Sequence, residues 1–200
     1  MASTKAATSQ IALHTLLAYA AAGKLTEGKH ELVNAAGQVN DMLNPRYEDH
    51  IRRLAKRIKD KNDVYVIGRG IMYPVALEIA LKIKEVSYVH ADGLPGGELK
   101  HGTLALIEKN TPCIVVVDNR NDKDSTLSNA QEIKSRGGYI IGIAPDPSPI
   151  FDYYIRVPDA GNATPLVSII PGQILAYHLA VLRGLDPDKP RNLAKSVTVK

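Results

Sequence analysis

Three groups of residues in this sequence could do chemistry. Glu78, Lys82 and Glu85 stand at i, i+4 and i+7. A helix through them puts two carboxylates and an ammonium on one face. A carboxylate tuned by a neighbouring ammonium is a candidate base for proton transfer. The same spacing also fits a solvent-exposed ladder of ion pairs, and on spacing alone that is the commoner case. Position favours the base, because the helix starts at the ligand end of a predicted strand.

His101 sits in Gly96-Gly97-Glu98-Leu99-Lys100-His101-Gly102. A lone histidine is commonly structural or simply exposed. Here the glycines permit close backbone approach to a ligand. Lys195 lies in the tail Lys189-Pro190-Arg191-Asn192-Leu193-Ala194-Lys195-Ser196-Val197-Thr198-Val199-Lys200. By composition that tail reads as a frayed chain end. A lysine held there in a desolvated pocket would form a Schiff base with a keto group.

Other chemistries find less support. Cys113 is the one cysteine and lies in an apolar run. It reads as a buried structural thiol in a reducing compartment, which predicts a cytoplasmic protein. His14, His30, His50, His90 and His178 show no metal-ligand spacing, so no metal is expected. Gly68-Arg69-Gly70 lacks the third glycine of a dinucleotide fingerprint, and there is no Walker loop, so no cofactor is expected.

The net charge of +4 fits an ordinary basic surface or attraction of an anionic ligand. The basic run Arg52-Arg53-Leu54-Ala55-Lys56-Arg57-Ile58-Lys59 has apolar residues at helical spacing. It reads as a solvated helix face rather than a nucleic-acid patch. No apolar run approaches the ~18 residues of a membrane span, and the polar start Met1-Ala2-Ser3-Thr4-Lys5 does not read as a signal peptide. Neither a nucleic-acid nor a membrane partner is expected.

These residues need elements to hold them. The chain has 200 residues, 44% hydrophobic and 23% charged, which suits one domain with a real core. With no Trp and one Phe, that core must be aliphatic. The first sixty residues read as three helices: one ending near Gly23, one over Glu27–Met42, and one starting at Asn44-Pro45. Val64–Ile67 then reads as a buried strand, followed by a helix over Tyr73–Tyr88. A short segment at Val89-His90-Ala91 precedes a glycine-rich loop, Gly93–Gly97. Ile114–Val117 and Tyr139–Ile143 are further strands, with a helix over Ser125–Arg136 between them. Tyr153–Val157 is predicted as an edge strand and Leu166–Arg183 as a long apolar helix.

The alternation predicts an α/β fold: a three-layer sandwich with a mostly parallel sheet of about five strands, preceded by N-terminal helices. Ligands on such sheets sit beyond the carboxyl ends of the strands. That rule points to Gly68–Tyr73, Gly93–His101 and the turn after Val117.

Several stretches also resemble a known family. They are Gly68-Arg69-Gly70, Tyr73-Pro74 with Ala76-Leu77-Glu78 through Lys84-Glu85, and Gly97-Glu98-Leu99-Lys100-His101-Gly102. Gln173-Ile174-Leu175-Ala176-Tyr177-His178 and the tail Pro190 to Val199 complete the set. In this order they resemble the isomerase region of the glutamine–fructose-6-phosphate aminotransferase (glucosamine-6-phosphate synthase) family, and specifically its C-terminal sugar-isomerase (SIS) subdomain, which is flavodoxin-like.

The resemblance implies a division into a helical lead-in over 1–60, a SIS domain over 61–185 and an active-site tail over 186–200. It implies that Lys195 forms the Schiff base with fructose 6-phosphate and that Glu85 shuttles the proton between C1 and C2. His101 would help open the sugar ring in the neighbouring subunit's site, which requires a homodimer. Glu78 and Lys82 would set the protonation of Glu85, and Ala194 would line the site through its backbone. The product would be glucosamine 6-phosphate, in hexosamine biosynthesis.

The family's glutaminase domain and first SIS subdomain, with its phosphate-binding Ser/Thr loop, are not in this sequence. The chain alone is therefore expected to be inactive. Thr103 stands where the family usually has proline, and Asp92–Gly96 is variable. Two other readings stay open: a SIS-type module that senses a phosphosugar, and a different SIS isomerase or deaminase.

Overall fold

The computed structural model describes residues 2–120 and 122–193. The chain opens with α1 (Lys5–Ala21), α2 (Leu25–Met42) and α3 (Pro45–Ile58). The start of α3 is set by local chemistry. Asn44 Oδ1 accepts the N–H groups of Arg46 and Tyr47, each at 3.1 Å, and Pro45 occupies the first turn. Along α3, Ile51, Leu54, Ala55 and Ile58 are buried while Arg52, Arg53, Lys56 and Arg57 face solvent. The basic run is thus the outer face of an amphipathic helix, as its spacing predicts. The first helix differs: α1 buries none of its residues, and Leu13 and Leu17 are each 55% exposed.

Five strands follow: β1 (Asp63–Gly68), β2 (His90–Pro95), β3 (Pro112–Val116), β4 (Tyr139–Ala144) and β5 (Tyr153–Arg156). They form one sheet in the order β2-β1-β3-β4-β5, with every pair parallel. The connecting helices are α4 (Met72–Ser87) and α5 (Lys123–Lys134), and α6 (Thr164–Leu182) closes the fold.

Side chains alternate between two cores. Val64, Val66, Ile114, Val116, Ile141 and Ile143 join the larger cluster, under α3, α4 and α6. Tyr65, Ile67, Cys113, Val115 and Ile140 join the second, with Ala130 and Ile133 of α5. A sheet covered on both faces explains why β1, β3 and β4 read as unbroken apolar runs.

Two expectations shift. The glycine-rich segment after Val89 is not a loop as far as Pro95, because β2 pairs with β1 residue for residue, through Gly93↔Val66 and Pro95↔Gly68. An edge position accommodates both residue types. Directly beyond it, Gly96–Glu98 and Thr103–Leu106 form short 3₁₀ turns. The second shift is in α6. The stretch Gly161–Leu182 is long and apolar enough to cross a membrane, contrary to the expectation that no such run exists. Most of it is buried against the rest of the protein, as suits a core helix.

A polar cluster ties the lead-in helices to this core. Glu31 of α2 accepts the Tyr19 hydroxyl and, at 2.8 Å, the N–H of Ala163 just before α6. Asn162 Nδ2 donates to the same Tyr19 oxygen at 2.8 Å.

Candidate active site

Helix α4 carries the candidate acid–base residues, and two glycines fix where it lies. A Cβ on Gly93 of β2 would come within 2.9 Å of the Leu77 Cα, and one on Gly172 of α6 within 2.5 Å of Ile79 Cγ1. Gly93 therefore serves the approach of α4 to the sheet. The inner face of α4, with Val75, Ala76, Ile79, Ala80, Ile83 and Val86, is buried. Burying one such aliphatic side chain contributes about 1.5–3 kcal/mol, so the helix has little freedom to shift or rotate.

Glu78, Lys82 and Glu85 are not a solvated ladder. The Lys82 side chain is 4% exposed, and those of Glu78 and Glu85 are 22% and 20% exposed. Lys82 Nζ donates to Glu85 Oε2 at 2.5 Å. It lies 3.5 Å from Glu78 Oε1. That second contact lacks hydrogen-bond geometry, and the buried Glu78 Oε1 has no hydrogen-bond partner. One buried ammonium thus sits between two carboxylates and holds both on one face of α4.

Each carboxylate opens onto its own cavity. Glu85 lines one of about 420 Å³ together with Leu81, Lys84 and Tyr88, and its far wall is the tail segment Arg191, Asn192 and Leu193. Glu78 lines another of about 420 Å³ beside Gln10 and His14 of α1 and Asn162. The structure thus brings Glu85 and the tail together. Ala194 and Lys195 lie outside the described residues.

His101 is elsewhere. Its side chain is 71% exposed, with Nδ1 2.7 Å from Glu98 Oε2. It follows the carboxyl end of β2, whereas Glu85 lies near the C-terminus of α4. The rise of 1.5 Å per residue puts Glu85 about 20 Å along the helix from Met72 at the carboxyl edge of β1. Among the described residues no hydrogen bond, ion pair or shared cavity joins His101 to Glu85.

The crevice at the carboxyl edge is crossed by the protein's own side chains. Arg69 Nη1 donates to Asn129 Oδ1 at 3.0 Å, and Arg69 Nε lies 4.0 Å from Asp122 Oδ1. Lys123 Nζ donates to Asn119 Oδ1 and to Asp146 Oδ2, both at 3.0 Å. The hydrogen bond from Lys123 holds the Asp146 carboxyl below its ordinary range. Cys113 is fully buried, and desolvation pushes its thiol up to about 12, as expected of an inert structural residue. Among the described residues no group of three or more His, Cys, Asp or Glu could hold a metal ion.

Sequence reasoning passed over Tyr88, which touches the tail, and the Glu31–Tyr19–Asn162 cluster. Neither has a local signature, since both depend on pairing distant parts of the chain.

Comparison with known proteins places this geometry. The family model of the SIS domain matches residues 57–183. The glutamine–fructose-6-phosphate aminotransferase (isomerizing) of Pyrococcus horikoshii is 46% identical over 100% of this chain, which covers 34% of that protein. The chain thus spans about a third of the length of the curated relatives it matches. A solved C-terminal domain of glucosamine-fructose-6-phosphate aminotransferase from Francisella tularensis superposes with a TM-score of 0.76 at 39% identity. That match covers 84% of this chain and 48% of the other. A glucosamine-6-phosphate deaminase from Thermotoga maritima superposes at 0.65 with 28% identity, over 90% of this chain and 52% of the other.

Proposed function

Because this chain belongs to the SIS domain family, we propose that it is the C-terminal SIS half of an isomerase region that converts fructose 6-phosphate to glucosamine 6-phosphate. The observation that carries this reading is the cavity shared by Glu85 and the tail. The tail's described part ends at Leu193 in that cavity, two residues before Lys195 in the sequence. The aminotransferase relatives, aligned over the whole chain at 41–46% identity, support the same assignment.

In this reading the Lys195 amine attacks the C2 carbonyl of the open-chain sugar, and water leaves as the Schiff base forms. Glu85 removes a proton from C1 and returns it to C2, with Lys82 holding its carboxylate in place. Ala194 lines the site through its backbone. Glu78 sets the charge around Lys82. Before the proton transfer, glutamine-derived ammonia adds at C2 and expels the Lys195 amine, so the imine nitrogen left on the sugar is ammonia's.

His101 acts in the site of a second copy, so the working unit is a homodimer. Its high exposure and its distance from Glu85 support that role, as do Leu77 and Leu81 on α4, each 41% exposed. Residues 1–60 serve as the lead-in, 61–185 as the SIS domain and 186–200 as the active-site tail. In this reading the phosphate-binding loop and the glutaminase lie in other parts of the full-length protein, whose relatives are about three times the length of this chain. The setting is cytoplasmic hexosamine biosynthesis.

Borohydride reduction in the presence of fructose 6-phosphate tests the reading. The full-length protein that carries this chain is captured at Lys195 and makes glucosamine 6-phosphate, while this chain alone shows negligible turnover. Robust product from the isolated chain would overturn the division of labour. The likeness to the deaminase favours one alternative, a SIS enzyme that releases ammonia from glucosamine 6-phosphate. Ammonia release without glutamine-dependent synthesis would establish that instead.

A further inference from the structure

Tyr88 ends α4 in the left-handed conformation, with φ 57° and ψ 21°. Glycine or asparagine normally takes that place, because a side chain there crowds its own backbone. A bulky residue persists at such a position when its surroundings over-determine it. Here the surroundings are the tail. The Arg191 N–H donates to the Tyr88 hydroxyl at 2.6 Å, and the Arg191 guanidinium stacks on the Tyr88 ring at 4.3 Å from its centroid. The two residues line both the Glu85 cavity and a second cavity of about 540 Å³ that holds Lys59 and Arg183. Together they form the wall between the two.

The left-handed turn is what directs the ring. Three residues after Glu85 a continuing helix would carry the side chain along the α4 face. The reversed backbone instead turns the Tyr88 ring onto the descending tail. Asn192 is itself left-handed, with φ 60°, so the tail bends directly after the contact. Leu193 then lines the Glu85 cavity.

We propose that Tyr88 is a positioning residue, a clasp that holds Arg191 and so fixes the point from which the tail delivers Lys195 to Glu85. The proposal rests on the reading of Lys195 and Glu85 as the reacting pair. It assigns Tyr88 no contact with substrate.

The test is Tyr88→Phe in the full-length protein that carries this chain. Phe keeps the ring, its stacking and the backbone, and removes only the acceptor of the Arg191 N–H. The Arg191 amide should exchange with solvent about tenfold faster, the usual weight of one hydrogen bond. Borohydride capture of fructose 6-phosphate at Lys195 should slow by a similar factor. The melting temperature and the sugar concentration giving half-maximal capture should stay unchanged. Tyr88→Ala, which also removes the stacking, should slow capture further.

A purely structural role would lower the melting temperature instead. Unchanged Arg191 exchange in Tyr88→Phe overturns the clasp. So does unchanged capture in a variant whose Arg191 exchange has risen. If the wild-type protein shows no capture at Lys195, the reaction assignment fails, while the exchange data still decide whether Tyr88 holds the tail.

Discussion

The two ends of α4 are built for different purposes. At its N-terminal end, Arg69, Asn129 and Asp122 reach across the carboxyl edge of the sheet and bind one another. Near its C-terminal end, Lys82 is buried between two carboxylates, and Glu85 faces a cavity walled by the tail. The first end satisfies its polar groups locally. The second pairs Lys82 with Glu85 but leaves Glu78 Oε1 without a hydrogen-bond partner and Glu85 on the wall of a cavity. The usual ligand position of a parallel sheet is thus spent on internal contacts, and the buried Lys82 with its two carboxylates lies further along the helix, Glu85 about 20 Å away.

The largest expected effect is on chemistry at the second end. Glu85→Gln keeps the shape of the side chain and removes the base. Turnover of the full-length protein that carries this chain should fall by about 10²–10⁴-fold, the ordinary worth of a positioned general base. Wild-type rates would show that Glu85 is only an ion-pair partner of Lys82. The matching change at the first end, Asp122→Asn, should leave turnover within a few fold.

Stability draws the same contrast. Lys82→Met removes a cation whose side chain is 4% exposed and leaves two carboxylates facing each other without it. Breaking a buried pair from one side costs about 3–5 kcal/mol, measured by urea unfolding. Arg69→Met removes a cation that is 31% exposed and should cost less than about 1 kcal/mol. Equal losses would erase the distinction between the two ends.

Much of this was legible in the sequence, and the reasons are local. The apolar runs of β1, β3 and β4 are strands buried on both faces, which a run of β-branched residues announces directly. Asn44-Pro45 marks a helix start because cap chemistry involves only neighbouring residues. The alternation of basic and apolar residues in α3 fixes its outer face. The spacing of Glu78, Lys82 and Glu85 gave their shared face but not their burial. Their surroundings include α6 beside Glu78 and the tail beside Glu85, which come far later in the chain.

The extension of β2 through Gly93 and Pro95 ran against strand propensity, and tertiary pairing with β1 decided it. Its glycine, Gly93, was read as part of a loop and proved to make room for α4. The start of α6 at Thr164 rather than Leu166 is the ordinary drift of a helix end.

The packing that holds α4 between its two ends can be loosened without touching either. Gly172 of α6 faces Ile79, and an added Cβ would sit 2.5 Å from Ile79 Cγ1. Gly172→Ala should therefore force the helices apart and cost about 1–3 kcal/mol by thermal unfolding, despite alanine's better helix propensity. A stabilised variant would mean that α4 and α6 separate without penalty, and their spacing could not then be what fixes the Lys82 triad. Cys113 lies across the sheet, where its thiol is pushed up to about 12 by burial. Its folded value lies above its ordinary value near 9, so it contributes stability below pH 9 that is lost between about 9 and 12. Below that window the folded protein should resist thiol reagents, and labelling should begin only as urea unfolds it. If Gly172→Ala is labelled in the folded state while the wild type is not, the strain at α4 has crossed the sheet, and the two faces of the core are one cooperative unit.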